Sequence, residues 1–432
     1  MIRRAIQAGL MIVGVLLLWD FVLTGVIVGQ GTLRGVLVST ALAGDDDDDD
    51  DDKVRPPRRQ PFAREPRIRR PPPPVPPREL IAAGVTDPDL ARLRGAGFTI
   101  VATRRLEVLP EITVRLRIPR NLSERRAVER LRTLVPPAII DFNHLYRPGA
   151  PPCPAADCFR FTDSASPPSG TCTVRGRIGM IDTAIDTKHA ALSSVAIEVE
   201  SVRGPAHPPS RSEHGTEIAM LLVASTSPKS DFSLVAVDAF HRRGAADYAD
   251  AFDIVAALDR LVAKGVTIIN LSFAGPPNAL LERAGEKAAE RGAIIVAAAG
   301  NDGPAASPRY PAGYRWAIAV TAVDRRDQIY VRAVRGPHIA FAAAGVRVQV
   351  PERGMQPGAV RSGTSYAVPR VTAALAAART IDPKLSGNTL IPDLARTAKD
   401  LGAPGRDPVF GWGLIDLRKA CPPDRAVGDT RP

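Results

Sequence analysis

The apolar positions of this 432-residue chain change their period several times, and each change marks a boundary. The first segment, 1–43, is an almost unbroken apolar tract: Ala8 to Trp19 and then, past Asp20, Phe21 to Val28. Arg3 and Arg4 precede it and the small-x-small triplet Ala41-Leu42-Ala43 follows, which is the pattern of a cleavable signal peptide. The tract is longer than a usual signal and Asp20 is costly at a bilayer centre, so an uncleaved membrane anchor is the alternative. Either route places the rest of the chain outside the cytoplasm, secreted, periplasmic or membrane-anchored. Residues 44–78 lose all periodicity. Asp45 to Asp52 is a run of like charges and Lys53 to Arg78 is largely arginine and proline, so an extended linker is expected. The aspartates lack the mixed, fixed oxygen geometry of a calcium loop.

Order returns at Glu79. Within 79–147, Phe98 to Ala102 and Ile112 to Ile118 alternate as strands do, Val128, Leu131 and Leu134 fall at helical spacing in Ser123 to Leu134, and Ala138 to Asp141 is a short apolar strand. A small α+β module of strand-helix-strand type is predicted. Residues 148–172 read as a connector. From 173 to 420, runs that are apolar on both faces alternate with helical segments. The runs are Arg177 to Ile181, Ser233 to Val237, Thr267 to Leu271, Ala293 to Ala298 and Ala317 to Val320; the helices are Thr216 to Val223, Ala249 to Ala263 and Ala279 to Arg291. Strands buried on both faces are typical of parallel sheets, so this order predicts a three-layer α/β domain with a mostly parallel central sheet and its active residues at the carboxyl ends of the strands. A tail, 421–432, follows.

Composition narrows the function classes. An apolar content of 45% suits a chain with a buried core. The net charge of +11 comes mostly from arginines spread along the chain and concentrated beside the prolines, and it points to no particular partner. Zinc-finger spacing, GxGxxG and GxxxxGK[ST] are all missing, so neither nucleic acid nor a nucleotide cofactor is expected. Cys153, Cys158, Cys172 and Cys421 are even in number, as in disulfide-stapled exported domains, and leave three pairings open. Structural zinc on Cys153-x4-Cys158 is the rival, without a histidine pair to complete it.

The candidate chemistry falls on the predicted strand and helix ends. Asp182 directly follows the strand ending in Ile181, where a carboxylate can orient a partner, although such a residue is more often a loop former. Of six histidines, only His214 is followed by Gly215-Thr216 and an apolar helix, a place from which an imidazole can reach a hydroxyl. Ser365, in Ser362-Gly363-Thr364-Ser365-Tyr366-Ala367-Val368-Pro369, precedes a small-residue helical run through Ala376, where unpaired backbone N–H groups can stabilise an oxyanion; alone it would read as a helix cap. Asn301, in Ala299-Gly300-Asn301-Asp302-Gly303 after a buried strand, can donate to the same oxygen, or simply form a turn.

In their order Asp, His, Ser these motifs resemble those of subtilisin-like serine proteases, over about 173–420. The Ile178-to-Asp186 stretch with His189, the His214-Gly215-Thr216 motif, Gly363 to Pro369 and the closing Gly411-Trp412-Gly413 all match. Ala184 for glycine, Met220 for a small residue and Ala344 for proline depart from it. The resemblance implies a catalytic triad of Asp182, His214 and Ser365, with Asn301 in the oxyanion hole. Ser272, Phe273, Ala274 and Gly275 would form the strand that pairs with a polypeptide substrate and lines a pocket for uncharged side chains. It also implies that 79–147 is a pro-domain and intramolecular inhibitor, so that the chain is made as a zymogen; a permanent accessory domain is the alternative. No cofactor is required for catalysis, and structural calcium, common in the family, has no assignable ligands. An inactive peptide-binding pseudoprotease or scaffold is the rival function.

Overall fold

The computed structural model describes residues 78–109, 112–149, 171–350 and 359–421. The expected signal peptide or anchor, the linker up to residue 77, Cys153, Cys158 and the tail beyond Cys421 lie outside them. Among the described residues no helix is long and apolar enough to cross a membrane.

The N-terminal module consists of β1 (Glu79–Val85), α1 (Asp87–Gly95), β2 (Thr99–Arg105), β3 (Ile112–Arg117), α2 (Glu124–Leu134) and β4 (Ile139–Phe142). Its strands form an antiparallel sheet in the order β2-β3-β1-β4. The predicted strand-helix-strand unit is thus extended by β1 and α1, which periodicity missed. The reason lies in the packing of β1: Leu80 and Ala82 face the module's own core with Leu93, Val114, Leu116 and Leu131, whereas Ile81 and Ala83 pack into the core of the larger domain. A strand buried on both faces has no polar alternation to read. Helix α2 begins where Ser123 Oγ accepts the Arg126 N–H, the N-cap bond that a serine at that position supplies.

After β5 (Leu145–Pro148) the larger domain is built on a seven-stranded sheet in the order β15-β14-β13-β11-β6-β8-β7, with every pairing parallel. Its strands are β6 (Arg175–Asp182), β7 (Ala196–Ser201), β8 (Asp231–Asp238), β11 (Ile268–Leu271), β13 (Ile294–Ala298), β14 (Ala317–Val323) and β15 (Ile339–Ala344). Side chains alternate between two cores, Ile178 and Met180 of β6 facing one and Ile181 the other. Helix α3 (Glu213–Ala224) and helix α6 (Val368–Ile381) cover the first face; α4 (Ala251–Ala263) and α5 (Ala279–Glu290) cover the second. This is the predicted three-layer α/β domain. Helix α4 starts at Ala251 because Asp250 caps it, its carboxylate accepting the Asp253 N–H; Ala249 belongs to β10 (Ala246–Asp250) rather than to the helix.

Two further features bear on the site. The chain runs from β6 through β7 to β8 on one side, then crosses to β11 on the other, so its order reverses at β6 and opens a crevice at the strand ends. A second sheet, order β12-β5-β10-β9, with β9 (Phe240–Arg243) and β12 (Phe273–Ala274), incorporates β5. Helix α7 (Gly387–Thr397) and the short α8 (Leu417–Ala420) complete the domain, and Cys172 just before β6 is disulfide-bonded to Cys421 after α8, with Cα atoms 5.1 Å apart.

Candidate active site

Three neighbouring strands, β6, β11 and β13, bring Asp182, Ser272 and Asn301 to one edge of the sheet. Asp182 ends β6, fully buried, and its Oδ1 lies 2.6 Å from Nδ1 of His214 and accepts the Thr183 N–H at 2.7 Å. The histidine is in the first turn of α3, and Gly215 explains how that turn comes so close: a Cβ there would collide with the carbonyls of Thr183 and Ala184. The Gly215 N–H instead donates to Thr183 Oγ1 at 2.8 Å. Burial opposes charge on His214, but the Asp182 carboxylate, by its charge and its hydrogen bond, raises the imidazole above its ordinary pKa. A second carboxylate stands behind the first. Asp238, paired in register with Asp182, is pushed up to about 6 by burial, against the Phe240 N–H, the Ser210 hydroxyl and Arg203. Ser210 Oγ also accepts the Ala184 N–H at 2.9 Å, tying the loop after Asp182 in place.

Ser365 is buried in a single 3-10 turn, Thr364–Tyr366, directly ahead of α6. Pro369 in the first turn of α6 gives up no helical bond there, since that N–H would lack an intrahelical partner. The serine is locked against β11's end by reciprocal bonds: Ser365 Oγ donates to the Ser272 carbonyl at 2.9 Å and Ser272 Oγ to the Ser365 carbonyl at 3.0 Å. Asn270 Nδ2 donates to Ser272 Oγ, and Thr372 of α6 donates to Asn270 Oδ1, both at 3.0 Å, so a buried polar chain couples strand and helix.

Asn301 follows a turn in which Gly300 has φ of 102°, a conformation that favours glycine. Its Oδ1 accepts from Thr364 N at 3.0 Å and Thr364 Oγ1 at 3.2 Å. Because a backbone N–H can only donate, the amide oxygen is fixed on Thr364 and Nδ2 is left as the donating end.

The predicted substrate strand, Ser272 to Gly275, is engaged by the chain itself. In β5, Arg147 pairs with Ala274 and Pro148 with Phe273, while Leu145 and Tyr146 pair with Asp250 and Ala249 of β10, antiparallel on both sides. The Tyr146 side chain is buried, edge-on to Phe273, with its hydroxyl donating to the Pro276 carbonyl at 2.9 Å and its ring against Gly275, where a Cβ would not fit. At the end of this strand the Gly149 N–H donates to Nε2 of His214 at 3.0 Å. A Cβ on Gly149 would fall 2.7 Å from Ser365 Cβ and 2.8 Å from that Nε2, so only a glycine backbone fits between histidine and serine. The strand crosses the boundary expected at residue 147. Sequence reasoning missed Tyr146 and Gly149, as well as Thr364, Ser210 and Asp238, because what each does depends on segments distant in the chain.

The Subtilase family model matches residues 176–413. Minor extracellular protease Epr of Bacillus subtilis (strain 168) is 30% identical over 212 residues, 48% of this chain and 32% of that protein. Subtilisin DY of Bacillus licheniformis is 30% identical over 254 residues, 56% of this chain and 90% of that protein. Among solved structures, fervidolysin from Fervidobacterium pennivorans, a keratinolytic enzyme related to subtilisin, superposes with a TM-score of 0.64 at 17% identity, over 81% of this chain and 61% of that one. That likeness extends the shared fold beyond the family-matched residues. The chain thus spans about a third of one relative and most of another.

Proposed function

Because this chain belongs to the subtilase family, a family of serine-type endopeptidases, we propose that it hydrolyses peptide bonds through Asp182, His214 and Ser365 and is made as an inhibited precursor. The observation that carries the reading is the convergence of these three residues and Asn301 at one strand edge, with Asp182 Oδ1 2.6 Å from His214 Nδ1. Ser365 Oγ attacks the substrate carbonyl carbon and its proton passes to His214 Nε2, while Asp182 holds the ring and its charge. The oxygen gains negative charge, for which Asn301 Nδ2 and the Ser365 N–H are the donors. When the C–N bond breaks, the proton on Nε2 goes to the departing amine; water then repeats the sequence on the acyl-serine. No metal or cofactor enters these steps, and structural calcium has no assigned ligands.

Precursor inhibition is supported by the seating of Gly149 against Nε2 and by the two-sided pairing of β5. Ser365 Oγ turns from the Ser272 carbonyl toward His214 to cut this segment, and other substrates enter only once it has left. Residues 79–147 would then be a pro-domain, cut away within Pro148 to Ala150, and Ser272 to Gly275 would receive substrates as they receive β5. A peptide with an aromatic side chain where Tyr146 lies is the favoured substrate class. The apolar tract of 1–43 and the extracellular relative support export.

Expression of wild type and Ser365→Ala tests the reading. Wild type should be shortened, with a new N-terminus at Gly149 or Ala150, and should react with a fluorophosphonate; Ser365→Ala should do neither. Equal labelling of both proteins would sink the protease assignment and favour a peptide-binding scaffold. Identical shortening of both would assign the cut to another protease.

A further inference from the structure

We propose that His207, His241 and Asp253 bind one divalent transition-metal ion of the zinc class, at a site separate from the triad. His207 precedes α3, His241 is on β9 and Asp253 lies in the first turn of α4; one ligand-capable atom from each falls within 4.8 Å of the others. The two imidazoles are stacked with centroids 4.0 Å apart. His241 is 4% exposed and Asp253 fully buried. Nδ1 of both histidines and Oδ2 of Asp253 are buried without a hydrogen-bond partner.

A buried polar group without a partner is destabilising, so three from one cluster call for a shared partner. A proton on Asp253 would satisfy one of them and leave the imidazoles as they are. A cation accepting lone pairs from all three satisfies the set at once. Two nitrogens and one carboxylate oxygen suit zinc and its neighbours; calcium and magnesium prefer oxygen alone, and copper(I) prefers thiolate. The other oxygen of Asp253, Oδ1, accepts from Arg104 at 2.7 Å, which leaves Oδ2 as the oxygen for an ion and sets a positive charge beside it.

The surroundings set the strength. Arg104 and Arg115 come from β2 and β3 of the N-terminal module, Arg115 pairing with Glu79 and Asp250, while Arg203 and Arg243 come from the larger domain. Positive charge this close opposes a second cation, so the ion is held more weakly while the module is docked and more tightly once its arginines are removed. The site therefore links metal occupancy to the docking of the module; this last step rests on the precursor reading above, the binding itself does not.

The test uses full-length Ser365→Ala, non-reduced, with zinc ion as the probe. Equilibrium dialysis with elemental analysis should count one tight equivalent, above a weak background from Asp45 to Asp52 shared by all variants. Added His207→Gln, at a half-buried position that should keep the fold, and Asp253→Asn should each weaken that equivalent at least about tenfold, and Arg104→Ala should strengthen it. Zinc should raise the melting temperature of the parent but not of the His207→Gln protein. No equivalent above background, or one that His207→Gln leaves unchanged, overturns the site; an unchanged affinity in Arg104→Ala overturns the link to the module alone.

Discussion

Replacing Asn301 by aspartate separates two tasks that one amide performs. Its Oδ1 accepts two bonds from the buried Thr364, at 3.0 and 3.2 Å, and its Nδ2 is the proposed oxyanion donor. Aspartate keeps the acceptor and removes the donor. The loss of one such donor raises the barrier by about 2.7–4 kcal/mol, so kcat should fall about 10²–10³-fold or more while KM changes little. Stability should stay near that of the parent, because Thr364 keeps its partner. Alanine loses both, leaving the Thr364 N–H buried and unpaired at a cost of about 1–3 kcal/mol, so Asn301→Ala should match the kinetic loss and also unfold earlier. The measurements are kcat and KM on a chromogenic peptide, with precursors matured in trans by trace wild-type enzyme, and thermal unfolding of both variants. An Asn301→Asp enzyme within about threefold of wild type in kcat would refute the oxyanion role. Equal melting temperatures for the two variants would refute the Thr364 account.

Other outcomes follow from the same geometry. Gly149→Val sets a side chain against Ser365 and His214, so β5 should seat poorly and the uncut chain should react with a fluorophosphonate faster; an unchanged rate would show that Gly149 does not guard the serine. Catalysis needs neutral His214, whose pKa Asp182 raises, so kcat/KM should rise with pH through that elevated value. Asp182→Asn should move this acid limb to lower pH while cutting kcat by about 10⁴-fold, and a limb that stays in place would mean another group titrates. The Cys172–Cys421 bridge closes a separation of 249 residues, so replacing both cysteines by alanine should lower unfolding stability by about 2–5 kcal/mol, read as a lower denaturant midpoint at unchanged slope.

How much was legible beforehand varied with how local the cause was. Asp182, His214, Asn301 and Ser365 each stand beside a strand end or helix start, and the residues that create those boundaries are their neighbours in sequence. Gly215 beside the histidine was readable as a residue permitting close approach, and the carbonyls of Thr183 and Ala184 are what it approaches. The doubly buried β1 was not readable, because alternation disappears when both faces are covered. Nor was Gly149, since nothing within Leu145 to Gly149 announces a histidine 65 positions away.

Period, composition and the ordered motifs therefore sufficed for the fold class and for five of the seven strands of the parallel sheet with the helices between them, and they nominated the four candidate residues, all consequences of local chemistry. The tertiary structure alone decided that β6, β11 and β13 are neighbours, that β5 lies between β12 and β10, that Cys172 pairs with Cys421, and that His207 and His241 meet Asp253. Each of these is a contact between distant segments, set by which faces must be buried together and not by any residue's own neighbours.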